Sequence, residues 1–260
     1  MLLNKKINHL LFIFGAIFAP LHFWTYIATA QTTYNPPEDS NPQTDPPSAP
    51  RDPACNEDPL NLFSTLIPNH IDRELAEGEF DAQYSAATSQ SHPTFWFYIP
   101  EAYRVRNVEF SVRAMEAPYQ TYETALNTIP SGIFAVQIPE SETGLAEGAT
   151  YEIHLYINAH LTETSLAAEC ETINFVKRKP LTTETDLDNL PTEQRTEIYA
   201  QNGFWFDALT ELGQAVCGGA SPENWRSFLT DPHFAEFQSF EPVIANATIT
   251  TCPSANLQSE

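Results

Sequence analysis

Along residues 61–179 apolar and polar positions alternate in short runs, and Pro, Gly or Asn punctuates them. Residues 62–67 end at Pro68, and 94–99 sit between Pro93 and Pro100. In 108–114, Val108, Phe110, Val112 and Ala114 share one face at period two, as do Tyr151, Ile153, Leu155 and Ile157 further on. Residues 119–126, 133–138 (before Pro139) and 173–177 (before Pro180) complete seven runs, each predicting a strand. No helical period intervenes, so the runs predict an antiparallel immunoglobulin-like β-sandwich over 55–180 and not βαβ units. The run 94–99 is aromatic on both faces. Phe95, Phe97 and Ile99 are expected to fill the space between sheets, with Trp96 and Tyr98 pointing the other way. That second face is either a platform for a glycan or peptide, or a surface covered by the C-terminal part of the chain. The second is expected, because large exposed aromatic patches are unusual on a monomer.

After Pro180 the period changes. Residues 191–202 are good helix formers behind Pro191, and Gly203 is placed to end that helix. Next, Trp205, Ala208, Leu209, Leu212 and Val216 recur at three- and four-residue spacing and form one apolar stripe. The order Tyr199, Gly203, Trp205, Ala208, Leu209 resembles the helix–turn–helix of a tetratricopeptide repeat, and a partial helix follows at 224–229. A single repeat cannot bury its own face. The helical hairpin unit, 181–240, is therefore expected to pack on the sandwich, with 241–260 as a C-terminal tail. Trp96, Tyr98, Trp205, Trp225 and Phe228 are the candidate residues of that sandwich–helix interface.

Residues 1–30 have the three parts of a secretory signal: Lys5 and Lys6, an apolar middle at 10–19, and the A-x-A site Ala28-Thr29-Ala30. A retained anchor is the rival, but Pro20, His22 and Thr25 break the apolar stretch below the roughly 20 residues of a span. Residues 31–54 read as a Pro-rich disordered linker, since seven prolines fall within 31–53 among polar neighbours.

His92-Pro93-Thr94-Phe95-Trp96-Phe97-Tyr98-Ile99-Pro100 and Ile198-Tyr199-Ala200-Gln201-Asn202-Gly203-Phe204-Trp205-Phe206-Asp207-Ala208-Leu209 resemble the two signature blocks of the cyanobacterial domain-of-unknown-function family 928. The similarity runs over about 55–229 and takes in Leu66-Ile67-Pro68 and Cys170. It departs at Cys217-Gly218-Gly219, where many relatives continue the helix. The resemblance implies an exported envelope protein without an assigned activity, and it supplies no catalytic residues.

Charge and chemistry narrow the functions further. The chain has 34 acidic and 12 basic side chains, a net charge of −22, and loss of Lys5 and Lys6 with the signal makes it −24. Such a surface repels nucleic acid and anionic membranes, so neither is an expected partner. Cys55, Cys170, Cys217 and Cys252 all lie in the exported part, and an even number there favours two disulfides. Three pairings exist. The expected one joins Cys55 to Cys170, tying the start of the β-region to a late loop, and Cys217 to Cys252, clamping the tail onto the helices. Cys/His spacing for zinc is missing, and His154 with His160 makes only a two-residue metal site, with His154 expected to be solvated beside Glu152 and Tyr156. There is no calcium loop, G-x-S-x-G, Walker loop, dinucleotide fingerprint or H-E-x-x-H. No catalytic residue, metal site or cofactor is therefore assigned. The expected function is a non-enzymatic, exported envelope module that binds a protein partner and has no transmembrane anchor after cleavage. The alternatives are an envelope glycan binder or hydrolase using paired carboxylates, and a divalent-cation binder.

Overall fold

A computed structural model describes residues 32, 34–35, 63–67, 86–115, 120–126, 129–162, 166–183, 185–230 and 242–253. The signal segment, Cys55 and most of the linker lie outside the described residues. Pro93 and Pro100 lack a backbone donor and bracket strand β3, Thr94–Ile99, whose six residues are all buried. Its antiparallel neighbours are β1, Ser64–Thr65, and β6, Gly132–Gln137. β9, Ile249–Thr251, adds to the far side of β6, giving the order β1-β3-β6-β9.

The second sheet has the order β2-β8-β7-β4-β5, with β2 Ala86–Thr88, β4 Tyr103–Ala114, β5 Gln120–Leu126, β7 Thr150–Leu161 and β8 Ala167–Arg178. Period-two patterning survives intact here. Val108, Phe110 and Val112 of β4 and Ile153, Leu155, Ile157 and Ala159 of β7 are buried, and the residues between them are not. The Phe110 ring lies 5.7 Å from Phe95 and 5.8 Å from Phe97, so the two sheets meet through these rings. A polar tie joins them as well: Asn174 Nδ2 donates to Thr65 Oγ1 at 2.9 Å.

Each of the seven runs falls on a strand. Pairing is not uniformly antiparallel, however, because β2 runs parallel to β8 and β9 parallel to β6. Parallel neighbours need a long crossover, and in both cases most of the domain lies between the two strands. β2 is Ala-Ala-Thr and too short to show alternation. β9 comes from the stretch read as a tail, which also contains the helical turn α4, Pro242–Ala245.

Among the described residues, three α-helices lie between β8 and α4: α1, Thr192–Gln201, α2, Trp205–Cys217, and α3, Glu223–Leu229. The end of α1 is dictated by Gly203. Its φ of 80° is open to glycine at little cost. There Gly203 N–H donates to Ala200 O at 3.2 Å and Phe204 N–H to Tyr199 O at 2.9 Å, the two bonds of a Schellman motif. α2 then buries Trp205, Ala208, Leu209 and Leu212, the stripe read from the sequence.

α2 rests directly on β3. A Cβ at Gly213 would overlap the Trp96 indole at Cζ2 and Cη2 and stand 3.0 Å from Cε2. Mid-helix Gly→Ala on an open face gains about 0.5–1 kcal/mol. Here the indole is fully buried, and overpacking costs about 1–3 kcal/mol. Gly213→Ala is therefore expected to lower unfolding free energy in urea, and a gain would show that the contact is loose.

Candidate functional site

The candidate interface residues gather where the helices cover β3. Trp96 and Trp225 have ring centroids 5.1 Å apart, and Trp205 and Phe228 stack at 4.9 Å. Trp96 Nε1–H donates to Thr210 Oγ1 at 3.3 Å, and Trp205 Nε1–H to Leu66 O at 2.7 Å. The second bond matters because Leu66 O lies just past β1 and is completely buried, so the indole satisfies a carbonyl that the strand leaves open. Tyr98 is also buried, but its register places it opposite Ser64 of β1 and Ile133 of β6. Phe206 of α2 also reaches the Phe95 ring edge-on at 5.1 Å. Trp96, Trp205, Phe206, Trp225 and Phe228 thus serve sheet-to-helix packing.

Asp207 is a polar node within this apolar junction that no sequence pattern singles out. It sits in the first turn of α2 and is only 5% exposed. Thr88 Oγ1–H and Ser89 N–H each donate to its carboxylate at 2.7 Å, which fastens α2 to the end of β2. Burial pushes the Asp207 pKa up to about 6 in spite of these bonds, and the Glu211 charge adds to the rise. Tyr199, facing the same carboxylates, is pushed up to about 12, mainly by burial. A second tie lies nearby. Arg195 donates through Nε and Nη2 to Glu211 Oε2 at 2.9 and 2.6 Å and through Nη1 to Leu190 O at 2.6 Å. One guanidinium thereby joins α1, α2 and the segment entering α1.

Tyr34 belongs to the stretch read as a disordered linker, yet its ring is buried edge-on against Trp205 at 5.2 Å. Asn35 N–H donates to Ala200 O at 2.9 Å and Asn35 Nδ2 to Gln201 O at 3.2 Å, so these residues occupy carbonyls at the end of α1. Tyr34 and Asn35 are thus held against α1 and α2, because an aromatic ring with an apolar slot to enter outweighs the polar composition around it.

Cys217 and Cys252 are joined by a disulfide. Cys170 is disulfide-bonded and buried in β8, while Cys55 lies outside the described residues. On β7, His154 Nε2 stands 2.6 Å from Glu171 Oε1 of the neighbouring strand, so this histidine has a carboxylate partner and is only partly exposed. Among the described residues no group of three or more His, Cys, Asp or Glu side chains is arranged to hold a metal, and no helix is long and apolar enough to cross a membrane.

The raised Asp207 pKa fixes the sign of a pH effect. A carboxyl whose folded pKa lies above its usual value contributes its full stability below about pH 4 and loses it as pH climbs through about 6. A rise of that size corresponds to about 3 kcal/mol. In Asp207→Asn the amide keeps an acceptor for Ser89 N–H and carries no charge. Urea unfolding from pH 4 to pH 7 is expected to show a flatter stability profile in the variant, by up to that amount. Parallel profiles would mean that Asp207 does not titrate in this window.

Residues 47–240 match the family described as Domain of Unknown Function (DUF928). No curated protein and no solved structure matches the chain. The matched span includes both aromatic blocks, the Asp207 node and all of α1, α2 and α3. Because it covers well over half of the sequence, the chain belongs to the Domain of Unknown Function family DUF928.

Proposed function

We propose that the chain is an exported cyanobacterial envelope protein that holds another protein and catalyses no reaction. In this reading an immunoglobulin-like sandwich carries a tetratricopeptide-like hairpin, and residues 31–54 link it to the cleaved signal at 1–30. The observation that carries the proposal is the use of the large aromatic residues. Trp96, Trp205, Trp225 and Phe228, which could have stacked sugars at a surface, are spent on joining sheet and helices. The disulfide between Cys217 and Cys252 is compatible with an oxidising compartment. The hairpin retains a solvent-facing polar side, with Glu193, Gln194 and Gln201 of α1 and Gln214 of α2 exposed. An exposed polar helix face beside the packed sheets suits a protein partner.

The test uses residues 31–260, made in an oxidising periplasm, as bait on cyanobacterial envelope extract. A stoichiometric protein partner is expected to survive a salt wash and to be lost when Glu193, Gln194 and Gln201 are replaced by Lys. Retention unaffected by those changes, or hydrolysis of envelope glycans by the purified chain, would overturn the proposal.

A further inference from the structure

We propose that the Cys217–Cys252 disulfide is a thiol–disulfide exchange site, opened by a dithiol reductant, and that opening it frees the C-terminal strand β9 from β6. This goes beyond the adaptor reading and does not depend on it.

The strand is held weakly by its own bonds. β9 has three residues, all partly exposed, and its register against β6 shifts between Ile133 and Phe134. Beside the two ladder pairs, Ile133 with Ile249 and Phe134 with Thr251, Ile133 N–H donates to Thr248 O at 2.8 Å and Thr250 Oγ1–H to Ile133 O at 3.1 Å. So short a strand at a sheet edge is marginal unless something keeps it at high local concentration. The disulfide does this: Cys252 follows Thr251 directly, and Cys217 is the last residue of α2, 35 positions back in the chain.

Access separates this disulfide from the other bonded cysteine. Exchange needs a thiolate to reach a sulfur. Cys217 and Cys252 are partly exposed, and Gly218, Gly219 and Ala220 beside them are exposed, with open space where a Gly219 Cβ would stand. Cys170 is only 2% exposed within β8. What release uncovers is also defined. At Gly132, φ 116°, a Cβ would lie 2.6 Å from Thr248 O and 2.8 Å from Thr250 Cγ2, so the incoming segment seats directly on the β6 backbone. Its departure leaves the Ile133 N–H without its acceptor.

The chemistry balances with a dithiol as co-reactant. One of its thiolates attacks Sγ of Cys217 or Cys252, and the S–S bond breaks as a mixed disulfide forms. The second thiol of the reductant then displaces the protein sulfur. The protein gains two electrons and two protons as two thiols, and the reductant leaves as a disulfide.

Native full chain titrated with dithiothreitol, alkylated and mapped by mass spectrometry tests this, with hydrogen exchange measured on the same samples. Cys217 and Cys252 are expected to become alkylated at reductant levels that leave Cys170 blocked. Exchange at the Ile133 amide should accelerate at that point, while the amides of β4 and β7 stay protected. Cys170 labelling no later than Cys217, labelling only in denaturant, or unchanged Ile133 protection after reduction would each overturn the proposal. A Cys217→Ser, Cys252→Ser variant provides an independent arm, since without reductant it should show the fast Ile133 exchange. A folded variant with Ile133 still protected would also contradict the latch.

Discussion

Strand β3 carries large aromatic side chains on both faces, and neither set gains from facing water. Phe95 and Phe97 close against Phe110 across the gap between sheets, which leaves Trp96 on the opposite side. Each such ring buries about 150–250 Å², or about 4–6 kcal/mol of apolar burial as an upper estimate. The position of α2 follows from that need. Only a residue without a side chain lets the helix backbone reach the indole plane, and Gly213 is that residue. Once α2 lies there, Trp205 at its first turn meets Leu66 O, and α3 brings Trp225 and Phe228 onto the two indoles.

Polar groups at this junction give direction to what apolar burial alone would leave free. Asp207 pins the start of α2 to β2, Arg195 ties α1 to Glu211, and the disulfide pins the end of α2 beside β9. The carboxylate is the costly member of the set. It is kept in a buried place where its charged form is disfavoured, and two short bonds offset only part of that cost. A domain using such a group is less stable near neutrality than in mild acid.

Much of this was legible in the sequence, for identifiable reasons. Strand positions followed from period two, and the end of α1 from a glycine in the one place where a left-handed residue was required. The two-faced aromatic run, together with a lone hairpin that could not bury its own stripe, placed the helices near β3. The parallel edge strands left no such trace. Ala86-Ala87-Thr88 and Ile249-Thr250-Thr251 are shorter than the window in which alternation becomes visible. Asp207 was hidden because a single acid in the first turn of a helix ordinarily reads as favourable to the helix dipole. Its burial depends on β2, a strand that the pattern did not reveal. Tyr34 was obscured by the composition around it, since one aromatic among prolines and polar residues carries no period. Gly213 carries no sequence signal of its own, because its role depends on the Trp96 indole opposite.

Sheets and helices form one cooperative structure, joined at Trp96 and Trp205. Native-state hydrogen exchange in low urea measures this directly, by comparing opening free energies for amides of α2 with those of β3 and β7. The most protected amides of α2 and of both strands are expected to open together, with the same free energy and the same urea dependence. Opening of α2 at clearly lower free energy, with β3 still protected, would contradict it and make the helices an appendage of an independent β domain.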